Sequence, residues 1–405
     1  MNNYFMCDGQ VVNHNRLDLE VSHAEGNFIF DTNGKRYLDL RSGLWNASLG
    51  YDSDLYHNIK LEIDDLMDKK IPFIDIHSYN YKIYNELGEK IISFCKNDMF
   101  QAMFTNSGSE NTDLCLKIIN SIKQEDINIL TFSESYHGSF FGGVSVSGIE
   151  VNINKHLNKP YQNITYIDFP KNREEEKASL EYISKIMSSI DVFFIEPILS
   201  SAGIFSSSID YLNKVLKIAE QENVITVFDE VSTGFYRTGT ALYSNQLDYN
   251  PDIICLSKSI NNGISPFGCV CINKKIFNLL KGKPIHHFST QNGNLISAIS
   301  ANIVLDYYIK NGDSLREKTA TLQNIFLETM VENKIPSSLY RSCEGMMALD
   351  TPNSDPYLLQ KKLANLGILT YMYNSKNRGI SLFPQYNISQ ETFKKAISLI
   401  VKIIY

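Results

Sequence analysis

The 405-residue sequence has no excess of positive charge, because 38 lysines and arginines stand against 45 aspartates and glutamates, a formal net charge of −7. Nucleic acids and anionic membranes attract Lys and Arg, so this balance argues against either as the main partner. With 43% apolar and 20% charged residues, the composition excludes disordered, collagen-like and coiled-coil chains. The length suffices for one large core or for two domains that share one.

Paired cysteines and long apolar runs are missing as well. The seven cysteines form no CxxC pair and no Cys/His spacing typical of zinc, so we predict no metal site and reduced thiols in a cytoplasmic protein. No apolar run approaches the roughly 20 residues that span a bilayer. The first eight residues lack the basic and then apolar pattern of a signal peptide, so we expect neither secretion nor a membrane span.

Between about residues 100 and 275, short β-rich runs alternate with helical stretches, and this order predicts a mostly parallel sheet with helices on both faces. Both chain ends look different, and we expect 1–50 and 296–405 to form one small domain beside a large domain at 51–295. The final helix is predicted to begin at a Ser389 cap. The predicted strands are Ala102–Thr105, Ile129–Phe132, Val192–Ile195, Val224–Phe228, Ile253–Leu256 and, as a further one, Phe267–Ile272, and the predicted helices include Glu110–Lys123, Leu180–Ile190 and Tyr211–Glu222.

A junction between a strand and a helix carries two hydroxyls and a glycine. Ser107, Gly108 and Ser109 follow the predicted strand that ends at Thr105, and a helix then begins. Free backbone N–H groups and the positive end of a helix at one point suit a phosphate. Taken alone, an ordinary N-cap with a tight turn explains the motif about equally well.

A pair of carboxylates follows the strand Val224–Phe228. Ligands bind at the carboxyl ends of strands in an open parallel sheet, which is where Asp229 and Glu230 stand. A nearly buried Asp229 needs a cationic or hydrogen-bonding partner. A helix cap or a structural ion pair is the competing interpretation.

Lys258 comes shortly after the apolar strand Ile253–Leu256, where a surface lysine is unexpected. A lysine in a partly desolvated pocket has a lowered pKa and can form a Schiff base with an aldehyde. A lysine whose amine reaches back to water is the simpler interpretation of this motif alone. The aromatic pair Tyr136 and His137, after another strand, could stack on a flat ring, although such residues more often pack in the core.

Together the four motifs describe a pyridoxal phosphate pocket. The aldehyde condenses with Lys258, and Asp229 keeps the pyridine nitrogen protonated, so that the ring accepts electrons from a carbanion. Tyr136 covers one face of the ring, and Val231 contacts the other. The predicted cofactor-binding residues are therefore Ser107, Gly108, Ser109, Tyr136, His137, Asp229, Val231 and Lys258, with Lys258 and Asp229 also catalytic.

These motifs, in this order, resemble the class III, fold type I pyridoxal phosphate-dependent aminotransferases, the group of ornithine, 4-aminobutyrate and omega-amino acid aminotransferases. The resemblance runs from about Gly26 to the C-terminus. It implies an α/β fold with a large, mostly parallel-sheet domain and a smaller α+β domain from both chain ends. The matching stretches are Gly34–Asp39, Ser42–Trp45, Asn106–Glu110, Tyr136–Gly138, Glu196-Pro197 with Gly203, Asp229–Gly239 and Pro251–Gly263.

The resemblance implies further residues and a reaction. Trp45 and Glu196 would lie at the substrate, and Thr290 would reach the cofactor phosphate of a neighbouring subunit in a homodimer with shared active sites. The implied enzyme moves an amino group from an amine or amino acid donor to an aldehyde or ketone acceptor by a ping-pong mechanism. A glutamate-1-semialdehyde-type aminomutase uses the same pocket and is the alternative, and a non-catalytic binding protein with the same fold is less favoured.

One position departs from the family pattern. The family often has an arginine before a Pro-Pro pair that clamps a substrate carboxylate, and here Ser381 stands at that position. Arg378 could replace it only if the strand shifts by three residues, and an odd shift turns a side chain to the other face of a sheet. Arg41 and Arg237 are the other possible replacements. We therefore expect an acceptor without an ordinary α-carboxylate, with an amino sugar, an aldehyde or ketone, or a group on a carrier or peptide as candidates, or else another residue that holds the carboxylate.

Overall fold

The computed structural model describes residues 17–405 except 18, 52, 72, 97–98 and 150–160. Cys7 and the first eight residues, on which the expectation about a signal peptide depends, lie outside the described residues. No helix in the described part of the chain is long and apolar enough to cross a membrane.

The described residues form seventeen strands in four sheets. In chain order the strands are β1 Val21–Glu25, β2 Phe28–Asp31, β3 Arg36–Asp39, β4 Met99–Thr105, β5 Ile129–Phe132, β6 Ile164–Ile167, β7 Val192–Ile195, β8 Ile198–Leu199, β9 Phe205–Ser206, β10 Ile225–Asp229, β11 Ile253–Leu256, β12 Gly268–Asn273, β13 Tyr340–Cys343, β14 Met346–Asp350, β15 Ile368–Leu369, β16 Tyr371–Asn374 and β17 Arg378–Leu382.

Ten right-handed α-helices connect and cover these strands in the described ranges. They are α1 Ser53–Asp68, α2 Lys82–Phe94, α3 Gly108–Lys123, α4 Phe141–Val146, α5 Arg173–Ile186, α6 Ile209–Gln221, α7 Lys274–Leu280, α8 Leu295–Glu332, α9 Pro356–Asn365 and α10 Gln390–Ile404.

The central sheet has seven strands in the order β4-β12-β11-β10-β7-β5-β6. Four of its pairings are parallel, and only β12 runs antiparallel to its two neighbours, so the prediction of a mostly parallel sheet is confirmed. Both faces are covered: along β7, Phe193 and Ile195 belong to one apolar cluster, while Val192 and Phe194 belong to another. Such burial on both faces explains the continuous apolar runs that predicted these strands.

Caps account for most differences between predicted and observed helix ends. Helix α5 begins at Arg173, well before the predicted Leu180, because the Asn172 side chain accepts a hydrogen bond from Glu175 N–H at 3.0 Å. The predicted Ser389 cap is confirmed, since its Oγ accepts from Thr392 N–H at 3.2 Å.

The two chain ends meet in one small sheet. Strands β1, β2 and β3 near the N-terminus are joined by β15 of the C-terminal part, with Leu38 opposite Ile368 in a parallel pairing. A second sheet, β13-β14-β17-β16, is entirely antiparallel. This pairing supports one small domain built from both ends, whereas its bounds at 50/51 and 295/296 stay a prediction.

Candidate active site

A cavity of about 280 Å³ lies at the carboxyl edge of the central sheet. Its volume is near the lower end of the roughly 300–1,000 Å³ typical of small-molecule sites. A larger groove of about 710 Å³ lies elsewhere and contains none of the predicted cofactor-binding residues of this chain. The smaller cavity is lined by Asn46, Asn106, Ser107, Gly108, Ser109, Tyr136, His137, Gly138, Asp229, Val231, Ser232, Ser257, Lys258, Asn261, Ser265, Pro266 and Phe267.

The start of α3 forms one wall of the cavity. Ser107 is the N-cap, and its Oγ accepts from Glu110 N–H at 3.3 Å. The N–H groups of Gly108 and Ser109 belong to the first turn, which has no acceptor within the helix. Gly138 packs against this turn with a φ of +101°, and a Cβ there would lie 2.7 Å from Ser109 Cα. The junction is therefore both an N-cap and a free set of donors at a positive helix end.

Asp229 and His137 form a buried pair on the cavity wall. Asp229 Oδ2 lies 2.9 Å from His137 Nδ1, and Asp229 Oδ1 accepts from Val231 N–H at 3.1 Å. His137 is itself held where its N–H donates to Ser147 Oγ at 2.8 Å and its carbonyl accepts from Thr112 Oγ1 at 2.7 Å. The carboxylate is thus fixed in direction, as its nearly complete burial requires.

Lys258 faces Asp229 across the cavity region and has an unusual backbone. Its φ is +47°, a left-handed conformation that costs a non-glycine residue of order 1–3 kcal/mol and must be held by the surrounding structure. Nζ donates to Ser232 Oγ at 2.7 Å and lies 4.0 Å from the centroid of the Trp45 ring. Burial lowers the pKa of Lys258 to about 8, against the opposing charges of Asp229 and Glu196. Sequence reasoning missed Ser232, whose only signal was its place three residues after Asp229.

Glu196 lies behind the cavity wall, because it does not line the cavity and only 3% of it is exposed. Its Oε1 accepts from Ser200 N–H at 2.9 Å, and its Oε2 accepts from Tyr136 N–H at 3.2 Å. Burial and the charge of Asp229 raise the pKa of Glu196 to about 7. Glu196 therefore holds the loop that presents Tyr136, instead of pointing at the cavity.

Trp45 lies beside the Lys258 amine, whose Nζ is 4.0 Å from the centroid of the indole ring. Phe383 stacks on its ring with centroids 4.3 Å apart, and Tyr371 meets its edge at 5.1 Å. The stacked Phe383 already occupies one face of the indole, so the Lys258 amine lies over the other. Trp45 does not itself line the cavity, and its role toward the substrate stays a prediction.

Arg378 does not take the place of the missing arginine. In the sheet register Ser381 lies opposite Tyr371, whereas Arg378 lies opposite Asn374, so the strand has not shifted. The neighbours of Arg378 on its own face, Ile380 and Leu382, pack in the cluster away from Trp45. Arg378 is exposed and donates to the carbonyl of Pro352. Arg378 therefore does not line the cavity, because its odd spacing from Ser381 turns it to the other face, and its role as a substrate residue stays a prediction.

The other two candidate arginines, Arg237 and Arg41, differ in their hydrogen bonds. Arg237 is buried and donates to the carbonyls of Gly345 and Pro384 and to Ser48 Oγ at 2.6–3.1 Å, so it serves the fold. Arg41 is half-buried, and its Nε has no hydrogen-bond partner among the described residues. Arg41 is therefore the remaining candidate to bind a substrate carboxylate.

Thr290 does not line the cavity of its own chain. It lies in the loop before α8, whose residues Ser289 and Asn292 contact the Asn106 amide next to the α3 turn. Its role toward a neighbouring subunit stays a prediction.

The cavity residues fit pyridoxal phosphate. Free N–H donors and hydroxyls at the α3 turn suit a phosphate, Asp229 suits a protonated ring nitrogen, and the amine of Lys258 suits an aldehyde. The cavity thus holds all three functions that this cofactor requires, on a single edge of one sheet.

Comparisons with known proteins agree with the fit of this cavity to pyridoxal phosphate. The sequence model of the family described as Aminotransferase class-III matches residues 10–404, and the chain belongs to this family. It is similar to the adenosylmethionine-8-amino-7-oxononanoate aminotransferase of Helicobacter pylori, 27% identical over 98% of this chain and 94% of that protein. It is also similar to the acetylornithine aminotransferase of Lactococcus lactis subsp. lactis, 28% identical over 97% and 98% of the two chains.

Solved structures share the fold. An amine transaminase from an uncultivated Pseudomonas species, in a PLP-bound form, matches with a TM-score of 0.87 over 100% of this chain and 98% of that chain, at 21% identity. The taurine:2-oxoglutarate aminotransferase of Bifidobacterium kashiwanohense matches with a TM-score of 0.86 over 100% and 94%, at 20% identity. The fold is thus that of the fold type I transaminases.

The protein is therefore a pyridoxal phosphate-dependent aminotransferase that acts on small-molecule amines and carbonyl compounds. The predicted family, fold class, cofactor and activity are confirmed. Neither the aminomutase alternative nor a non-catalytic binding protein is favoured by these relatives.

Proposed function

We propose that Lys258 carries the aldehyde of the cofactor and moves the proton in each half of a ping-pong transamination. When bound, pyridoxal phosphate supplies the electron sink that stabilises a carbanion at the amine-bearing carbon of the substrate. The supporting observation is a single buried amine with a pKa lowered to about 8, held between Ser232 Oγ and the Trp45 ring. Its neutral Nζ takes the proton from that carbon and later returns one.

Asp229 and the α3 turn orient the cofactor. Asp229, fixed by His137 and by Val231 N–H, holds a negative charge against the ring nitrogen. Ser107, Gly108 and Ser109 bind the phosphate at the positive end of α3. Tyr136, held through its N–H by Glu196, and Val231 cover the two faces of the ring.

Labelling tests these assignments. Borohydride reduction of the loaded protein, followed by peptide mass spectrometry, should find the pyridoxyl group on Lys258, with no label there in Lys258→Ala. Lys217, exposed on α6, provides a control variant, and Lys217→Ala should be labelled like wild type. A label on another lysine in wild type would contradict the assignment.

The same proposal includes a homodimer in the cytoplasm. The larger groove, lined by Tyr84, Phe100 and Phe104 among others, lies beside the loop that carries Thr290, and Phe100 and Phe288 are exposed there. A second copy covering this groove would bring its Thr290 toward a phosphate cradle. Sedimentation measurements that find only monomer in the active enzyme would refute the dimer.

For the acceptor, we propose an aldehyde or ketone without an α-carboxylate. The strand face that carries Ser381 presents Tyr371 and Phe383 to Trp45, while Arg378 lies on the other face and Arg237 is fully engaged. In steady-state kinetics, uncharged aldehydes should saturate the enzyme at lower concentration than pyruvate or 2-oxoglutarate, in wild type and in Arg41→Ala alike. Tight saturation by an oxoacid that Arg41→Ala selectively abolishes would refute this and assign the carboxylate to Arg41.

A further inference from the structure

The segment that carries Trp45 is a left-handed turn. Ser42, Gly43, Leu44 and Trp45 have φ values of 47°, 57°, 72° and 68°. Left-handed helical backbone costs an L-residue roughly 1–2 kcal/mol. Three of the four residues are not glycine, so the surrounding structure must hold this turn in place.

The entrance to the turn is held by one buried carboxylate. Asp39, at the end of β3, accepts from the N–H of Arg41 at 2.9 Å through Oδ1. Its Oδ2 accepts from the N–H of Gly43 at 2.8 Å and from the hydroxyl of Tyr51 at 2.7 Å. Burial and the charge of Asp39 raise the pKa of Tyr51, so this hydroxyl stays a donor. Asp39 is 1% exposed and contacts none of the cavity.

The exit of the turn is tied to the segment that follows Lys258. Ser259 Oγ donates to the Trp45 carbonyl at 3.1 Å and shares a hydrogen bond with Ser48 Oγ at 2.6 Å. Asn262 then donates its amide to the Gly50 carbonyl at 2.9 Å. The entrance is also tied to the residue that follows β17 by the Ser42 hydroxyl, which donates to the Phe383 carbonyl at 2.5 Å, whereas Asp39 is the group that bonds the turn N–H of Gly43.

We propose that Asp39, with Tyr51, is a positioning residue that sets Trp45 over the Lys258 amine and thereby determines which substrates fit. The indole lies 4.0 Å from Nζ, so its position sets the space on that side of the amine. The effect on substrate choice rests on the proposed role of Lys258, whereas the effect of Asp39 on the position of Trp45 does not. A misplacement of about 1 Å near reacting groups can cost about 100-fold in rate.

The chain offers a matched control at Asp31. This carboxylate accepts from the N–H groups two and four residues on, Asn33 and Lys35, both at 2.9 Å, and from the hydroxyl of Tyr37 at 3.1 Å. Asp31 is also buried, at 8% exposure. The two aspartates therefore have the same kinds of partners, but the Asp31 turn is not in the cavity.

The experiment compares Asp39→Asn, Tyr51→Phe and Asp31→Asn. Trp45 is the only tryptophan in the sequence, so tryptophan fluorescence reports on this turn alone. Asp39→Asn should shift the emission to longer wavelength even without cofactor, because the indole loses its packing. It should lower kcat/KM for the best amine donor about 10- to 100-fold, mainly through KM, since the indole contacts ground state and transition state alike.

Tyr51→Phe removes one of the three bonds and should give a smaller shift in the same direction, which keeps the test decisive if Asp39→Asn fails to fold. Asp31→Asn should leave the emission and KM at wild-type values, even where it lowers the melting temperature. If Asp39→Asn and Tyr51→Phe leave the emission and KM unchanged, or if Asp31→Asn changes them equally, the proposal is overturned. The fluorescence result stands even if Lys258 proves not to be the cofactor lysine.

Discussion

Two regions beside the Lys258 amine are built differently. The strand-end side, made of Asp229, Lys258 and the α3 turn, is positioned by the register of parallel strands. The turn side, made of Trp45 and its anchors Asp39 and Ser259, is positioned by the local hydrogen bonds of Asp39 and by the bond from Ser259 to the Trp45 carbonyl, which joins residues 214 positions apart. The sheet thus positions the reacting groups, whereas a strained turn positions the indole that stands beside the reacting amine. Variants of the first side should change kcat, and variants of the second should change KM.

The largest effect is expected from Lys258→Ala on the strand-end side. Without its amine, neither attachment of the cofactor nor proton transfer can proceed, and turnover should fall by about four orders of magnitude. Steady-state assays with a saturating donor measure this, with Lys217→Ala as the control at wild-type rate. A Lys258→Ala enzyme that keeps full activity would contradict the catalytic role of Lys258.

Asp229→Asn should have the next largest effect, and on kcat more than on KM. The variant keeps the shape but removes the charge that faces the ring nitrogen, for which we expect a loss of about 100- to 1,000-fold, as for other preorganised electrostatic contacts. His137→Gln should cost less, because Val231 N–H still orients the carboxylate. Equal losses in the two variants would show that the orientation, and not the charge, is what matters.

The pH dependence tests the strand-end side through the protonation of the Lys258 amine. Burial lowers the pKa of Lys258 to about 8, and only the neutral amine attacks the aldehyde. The rate of cofactor uptake by the apoprotein should therefore rise with pH, with a midpoint near 8. Stopped-flow absorbance across a pH series would measure this midpoint.

Glu196→Gln tests the direction in which a neighbouring charge moves this midpoint. The negative charge of Glu196 stabilises the Lys258 ammonium, so removing it should lower the pKa of Lys258 further and move the midpoint to lower pH. A midpoint near 10.5, the ordinary value for lysine, would contradict the burial of this amine, and a shift to higher pH in Glu196→Gln would contradict the stabilising charge of Glu196.

The smallest effect is expected from Arg378→Ala. Its side chain is exposed on the strand face away from Trp45, so kcat, KM and the melting temperature should stay close to wild type, within about 0.5 kcal/mol of stability. A selective loss of one acceptor in Arg378→Ala would mean that the strand shifts when substrate binds.

The strand-end side was readable from the sequence because each of its residues follows an apolar run that only a buried strand explains. Asp229 after Val224–Phe228 and Lys258 after Ile253–Leu256 are examples. The reversed direction of β12 was not readable, since an antiparallel strand in a buried position has the same apolar pattern as a parallel one.

The turn side was readable only in part. Trp45 was named through the family resemblance, but four successive positive φ values leave no mark in a sequence where three of the residues are Ser, Leu and Trp. Asp39 stood out only as the end of a stretch that matches the family, and its bond to Tyr51 depends on where the chain returns. The spacing argument did predict that Arg378 and Ser381 lie on opposite faces, because that follows from strand geometry alone.

The most direct measurement is the absorbance of the loaded enzyme before and after adding a panel of amines and amino acids, with wild type beside Lys258→Ala. We expect a cofactor band that at least one donor bleaches in wild type and that no donor bleaches in Lys258→Ala. A wild-type protein that takes up no pyridoxal phosphate, or a Lys258→Ala protein that bleaches like wild type, would contradict the proposed role of Lys258.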